Sequence, residues 1–214
     1  MKKKTKSEVE FFSAINIGLP QARIYSRLGY VWGKTRLGRK QKADVDEKIN
    51  EAVSWISLQG AAREIEIERM NRREIYLPGG RILKSASLAR LFFGCERVLF
   101  IAATSGKKIM REIDRCLKKE EPGRAIIYDA AASEITDAAL GWIEQYCQRE
   151  LRRRNLCLLS RRFSAGYGDF DLENQKLIFE MLNLKKLGIR ITPYSQLIPE
   201  KSVTAVCGIK RIKK

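Results

Sequence analysis

Histidine is absent from this chain of 214 residues. Its absence removes imidazole as a general base, proton shuttle and metal ligand, and excludes Ser–His–Asp and Cys–His catalysis. Cysteine is sparse. Cys95, Cys116, Cys147, Cys157 and Cys207 are scattered, and no two have metal-ligand spacing. That pattern predicts small buried thiols in a reducing compartment, with neither a disulfide framework nor a zinc site. No apolar run approaches the roughly 20 residues a membrane span needs. The longest candidate, Val98–Ala103, has the length of a strand. The opening "MKKKTKSEVEFFSA" has charge but no apolar centre, so it does not read as a signal peptide and a cytoplasmic location is expected.

What is present is apolar enough to fold: 44% of residues are hydrophobic, too many for a disordered chain. Charge is strongly one-sided, at a net +17. Residues 1–42 hold eleven Lys or Arg against only Glu8 and Glu10. Such a balance fits a solvated surface, a partner with an acidic face, or nucleic acid. Recognition of single-stranded nucleic acid wants aromatics among the cations. "KTRLGRKQK" and "LRRRN" contain none, which weighs against nucleic acid.

Periodicity predicts mixed elements. "PQARIYSRLGY" reads as a short helix from Pro20 to Gly29, followed by a basic loop, "GKTRLGRKQK". "DVDEKINEAVSWISLQG" places Val45, Ile49, Val53 and Ile56 at helical spacing, with Gly60 beyond its end. "REIEIERM" alternates Ile65 and Ile67 with Glu64, Glu66 and Glu68, as a half-buried strand does. "EIYLPGGRIL" reads as extended and broken at Pro78-Gly79-Gly80. "SASLARLFFG" reads as a helix capped by Ser85 or Ser87, and "ERVLFIAATSG" as the most buried strand. "GKKIMREIDRCLKKE" is a helix with Ile109, Ile113, Cys116 and Leu117 on one side. "RAIIYDAAASEITDAALGWIEQYCQREL" opens as a strand or a buried helical turn. It continues as a long amphipathic helix carrying Ile135, Leu140, Trp142, Ile143 and Tyr146. "LCLLSRRF" is extended, "DLENQKLIFEMLNLKKLG" helical, and "IRITPYSQLIP" and "KSVTAVCGIKRI" are two closing strands.

Without strict strand–helix–strand alternation, these elements predict an α+β fold. Its sheet is mainly antiparallel and twisted, flanked by helices, with a helical N-terminal segment. Residues 1–19 read as a basic tail and lead-in, loose over Met1–Lys6. Residues 20–214 read as a single domain whose part from 20 to 60 is the more helical and basic.

Two patterns invite chemistry, and neither is assigned a catalytic role. "FIAATSGKK" resembles a phosphate loop, but the position that needs the first glycine is Ile101, inside a strand, so a strand-to-helix turn accounts for it. Asp129, Glu134, Asp137, Asp169 and Asp171 each read equally well as a helix cap or first-turn charge. "RRFSAGYGDFDLENQ" is different. An arginine at a strand end offers a planar fork for a carboxylate. Gly166 and Gly168 permit positive φ and bare backbone, and Tyr167 between them can cover a flat group. A connector capped by Asp169 or Asp171 fits the same residues as well as a ligand loop does.

The same stretch resembles the Arg-x-Ser-Pro-Gly-Tyr-Gly-Asp segment, followed by a Leu and a Gln, of the activation (reactivation) domain of cobalamin-dependent methionine synthase. The form resembled is the stand-alone one. Similar pieces lie in "LGY" (Leu28–Tyr30), "SLARLFFGCERVLFIAATSGKKIMREID", "YDAAASEITDAA" and "LIPEKSVTAVCGI". They occur in the family's order from about Ala22 to Ile209.

The resemblance implies binding of S-adenosylmethionine and reductive methylation of cob(II)alamin in support of methionine biosynthesis. The corrinoid would be carried by a separate methionine synthase or related methyltransferase, since the catalytic, substrate and cobalamin modules have no counterpart in this sequence. It also implies an electron donor, for which an acidic flavodoxin or ferredoxin would suit the +17 charge. By resemblance Arg162 would hold the methionine carboxylate, Ser164, Ala165 and Gly166 would line the ligand, and Tyr167 would lie by the sugar, adenine or corrin. Val206 and Cys207 match the family's second contact region. The chain departs from the pattern at Ala165, where a proline is usual, and at Cys207-Gly208, where the fused enzyme has an aromatic pair. The family's acidic contact to the ligand amino group has no assigned counterpart.

Overall fold

The computed structural model describes residues 8–31 and 33–212, so the expected loose tail, Met1–Lys6, lies outside the described residues. In chain order the elements are β1 (Glu10–Phe12), α1 (Gln21–Arg27), α2 (Arg39–Trp55), β2 (Gln59–Glu66), β3 (Arg69–Met70), β4 (Glu74–Leu77) and β5 (Arg81–Lys84). There follow α3 (Ala86–Leu91), β6 (Arg97–Thr104), α4 (Lys107–Lys118), α5 (Pro122–Arg152), β7 (Leu156–Phe163) and α6 (Asn174–Met181). A 3-10 turn (Leu184–Leu187), β8 (Arg190–Ile191), β9 (Leu197–Ile198) and β10 (Ser202–Arg211) complete the chain.

The fold is α+β. Its main sheet has the order β1-β2-β6-β10-β7, with every neighbour antiparallel. β6 lies at its centre, which explains its unbroken apolar sequence. Val98, Phe100 and Ala102 pack on the face that carries α3 and α6, and Leu99, Ile101 and Ala103 on the face under α5. A strand covered on both sides cannot alternate with polar residues. Each of the larger ones, Val98, Leu99, Phe100 and Ile101, contributes about 1.5–3 kcal/mol. A third apolar cluster joins α1, α2, α4 and the first half of α5, so the basic N-terminal helices are packed onto the domain. A smaller sheet, β3-β4-β5, adds Ile75, Leu77 and Leu83 to the first cluster.

Several boundaries differ from expectation for local reasons. α2 starts at Arg39, inside the expected basic loop, and buries Val45, Ile49 and Ala52 while Val53 is exposed. At 3.6 residues per turn Ala52 falls on the stripe of Val45 and Ile49, and Val53 turns off it. Leu117 likewise leaves the stripe of Ile109, Ile113 and Cys116. "RAIIYDAA" is helical, because Pro122 starts α5 at its first turn and the helix runs unbroken for 31 residues. α6 stops at Met181, before Asn183 takes a left-handed φ of 46°. "IRITPYSQLIP" forms a small hairpin, β8-β9, outside the main sheet.

Candidate functional site

β10 is bordered by β6 along Ser202–Ile209, but β7 reaches only as far as Phe163, opposite Val206. Ser202–Ala205 therefore have a paired strand on one side only. Beside that open edge lies a cavity of about 790 Å³. Its walls come from the loop after β7 (Ser164, Ala165, Tyr167), the lead into α6 (Leu172), the first turn of α6 (Gln175), the β8-β9 hairpin, and Asp137 and Leu140 of α5.

The loop is held from two directions. Gly166 and Gly168 have φ of 92° and 58°, conformations strained for any side chain, and they turn the chain back so that the Gly166 N–H donates to the Phe170 carbonyl at 2.7 Å. Phe170 is fully buried and anchors the turn below, while Tyr167 stands out at its tip, 70% exposed. Asp169 caps α3. Its carboxylate accepts from Ser85 Oγ at 2.8 Å, Ala86 N–H at 2.7 Å and Ser87 N–H at 3.0 Å, and these donors pull its pKa down to about 2. Ser85 caps the same helix through Leu88 N–H. Asp169 thus acts across the fold, and it does not cap the helix that follows it.

Arg162 sits at the rim of the groove on the α5 side of the sheet, opposite Cys207 in register. It donates from Nη2 to Asp137 and from Nη1 to Glu144 at 3.2 Å. Asp137, Leu140 and Glu144 recur along one stripe of α5, which faces β7. Thr136 fixes the azimuth of that stripe, since its buried hydroxyl meets that of Ser105 just past β6. Asp137 is shared with Arg23 of α1 at 3.0 Å, and Glu134 takes Arg23 and Arg27 at 3.4 and 2.7 Å. The arginine fork therefore rests between two acids of its own chain. The charged residues lining the groove are Arg162, Asp137 and Glu200.

Polar groups also reach the groove from the other face of the sheet. Thr204 alternates onto the α6 side, where its Oγ1 donates to Gln175 Oε1 at 2.9 Å. Gln175 is 5% exposed, and its Nε2 has no hydrogen-bond partner among the described residues.

Arg162, Ser164, Ala165 and Tyr167 are thus brought together around one groove, with Gly166 in the turn between them. Val206 and Cys207 are not. Both are fully buried inside the sheet, Val206 under α3 and α6 and Cys207 under α5, where burial pushes the thiol well above its usual range. β10 meets the groove earlier, through Ser202, Val203 and Thr204. No aromatic fits at Gly208: a Cβ there would stand 2.6 Å from Cys95 Sγ and 2.8 Å from Leu159 Cδ1.

No protein-family model and no curated protein matches the sequence. Among solved structures, a crystal structure of the MetH reactivation domain bound to AdoHcy matches with a TM-score of 0.66 at 13% identity, covering 97% of this chain and 80% of that one. This chain shares the fold of the MetH reactivation domain. Gln175 and the Ser202–Thr204 edge went unassigned in the sequence, as did Asp137, one carboxylate among several that resembled caps. Only the tertiary pairing with Arg162 sets Asp137 apart.

Proposed function

We propose that this chain is an S-adenosylmethionine-binding module of the reactivation type. Its role would be to support reductive methylation of cob(II)alamin held by a separate methionine synthase or another corrinoid protein. The observation that carries this reading is the groove at the open β10 edge, with Arg162 and Asp137 side by side at its rim. The shared fold with a domain bound to AdoHcy supports it.

The residues present fit the ligand. An amino acid bears its carboxylate and ammonium on one carbon, so a cation and an acid in contact match both groups at once. Ala165, Leu172 and the exposed ring of Tyr167 offer apolar surface for the nucleoside.

When bound, S-adenosylmethionine supplies an electrophilic methyl group. The chain's residues would bind and orient it, with Arg162 on the carboxylate, Asp137 on the ammonium, and Tyr167 with Leu172 limiting water at the lip. No acid/base residue is required, because the contribution is positional. An acidic donor such as a flavodoxin or ferredoxin would be drawn by the net charge of +17, which makes its encounter rate dependent on salt. Calorimetry with S-adenosylmethionine tests the binding. Reactivation of a corrinoid protein at increasing ionic strength tests the donor, and a rate flat across ionic strength would remove it.

A further inference from the structure

Resting on the binding reading above, we propose that Gln175 is the residue that reads the purine of the ligand, donating from Nε2 to a ring nitrogen. Gln175 forms part of the groove wall in the first turn of α6, yet its amide is left half-used. Oε1 takes the Thr204 hydroxyl at 2.9 Å, which fixes the plane of the amide, while Nε2 is buried without an acceptor. A buried donor with no partner is costly, and an acceptor brought by a ligand would remove that cost.

Position selects the part of the ligand. Arg162 pairs with Asp137 and Glu144 on the α5 face, whereas Thr204 and Gln175 meet on the α6 face. The open edge at Ser202–Ala205 separates the two polar ends. A ligand whose amino-acid end lies at Arg162 and which follows the groove across this edge brings its nucleoside end to Gln175. The same groove wall includes the apolar side chains of Ala165 and Leu172, which suit a base. A purine ring nitrogen accepts without bringing a hydrogen of its own, so it satisfies the amide and strands no donor. A ribose hydroxyl would bring one more donor into the same dry corner. Leu172 and Tyr167, both exposed at the lip, are the side chains that yield as the ring settles.

Calorimetry on the full chain separates the possibilities, using S-adenosylhomocysteine and its 1-deaza, 3-deaza and 7-deaza analogues. The wild type is expected to lose about tenfold in affinity for one of the three analogues relative to the parent. Gln175→Glu keeps an acceptor for Thr204 and removes the donor, and Gln175→Leu removes both. Each should bind the parent about tenfold more weakly and no longer distinguish that analogue. Thermal melting of both variants checks the fold, and Gln175→Glu serves if the leucine variant fails to fold. Wild-type affinity for the parent in either folded variant overturns the assignment. So does a wild type that binds all three analogues as well as the parent. If these occur while Arg162→Ala still weakens binding, the purine assignment alone falls. If the wild type binds no S-adenosyl compound, the groove reading falls with it.

Discussion

Arg162 on β7 and Asp137 on α5 are joined by an ion pair at the rim of the groove, and the second oxygen of Asp137 is held by Arg23 at 3.0 Å. This shared acid connects the groove to the basic α1 helix. It also means that Asp137 keeps a cation whether or not Arg162 turns toward a ligand, which holds the acid in place for the ammonium contact proposed above. Glu144 holds the other end of the fork at 3.2 Å.

Asp137→Asn should therefore weaken S-adenosylmethionine by about tenfold, the usual scale for losing a charge-assisted hydrogen bond. Glu200→Gln, which changes an exposed acid farther along the groove wall, should stay within about twofold. Calorimetric titration of both variants checks this, and a larger loss for Glu200→Gln would move the ammonium contact to that residue.

The loop that carries Tyr167 should be pH-sensitive through Asp169. Its folded pKa is lowered to about 2 by hydrogen bonds from the start of α3, below the roughly 3.9 of an unfolded aspartate. A lowered folded pKa adds stability that is fully present above about pH 4 and is lost as pH falls toward 2. Urea unfolding of wild type and Asp169→Ala at several pH values should show a gap that is constant above about pH 4 and narrows below it. A gap that widened on acidification would contradict the capping role.

Gly208 marks the β10 bulge, where the register with β7 shifts between Cys207 and Ile209. Phe92 Cδ1, Cys95 Sγ and Leu159 Cδ1 already occupy the space for a side chain. Gly208→Ala is expected to cost about 1–3 kcal/mol by overpacking. The midpoint of urea unfolding reads this directly, and an unchanged midpoint would show that the core there yields more easily than its packing implies.

The elements with a clear period were legible before the fold was known. β6 announced itself by an apolar run, β2 by its Ile–Glu alternation, and the stripe of Ile109, Ile113 and Cys116 by helical spacing. What could not be read was pairing across long separations. Asp169 looks like a cap for the helix that follows it, yet it caps α3, more than eighty residues earlier in the chain. Val206 and Cys207 fit a contact region by resemblance, but the alternation of β10 buries one under each face. The two-residue strands β8 and β9 lack the length that a periodic signal needs. The groove itself exists because β7 ends four residues short of β10's start, a matter of register that no single segment encodes.

Binding of S-adenosylmethionine to the purified chain, followed by calorimetry for wild type and Arg162→Ala, tests the account most directly. The wild type should bind the ligand at one site, and the variant should lose about 1.5–3 kcal/mol, roughly ten- to a hundredfold in affinity. No binding by the wild type, or equal affinity in a folded Arg162→Ala variant, would contradict the place given to this arginine and to the groove beside it.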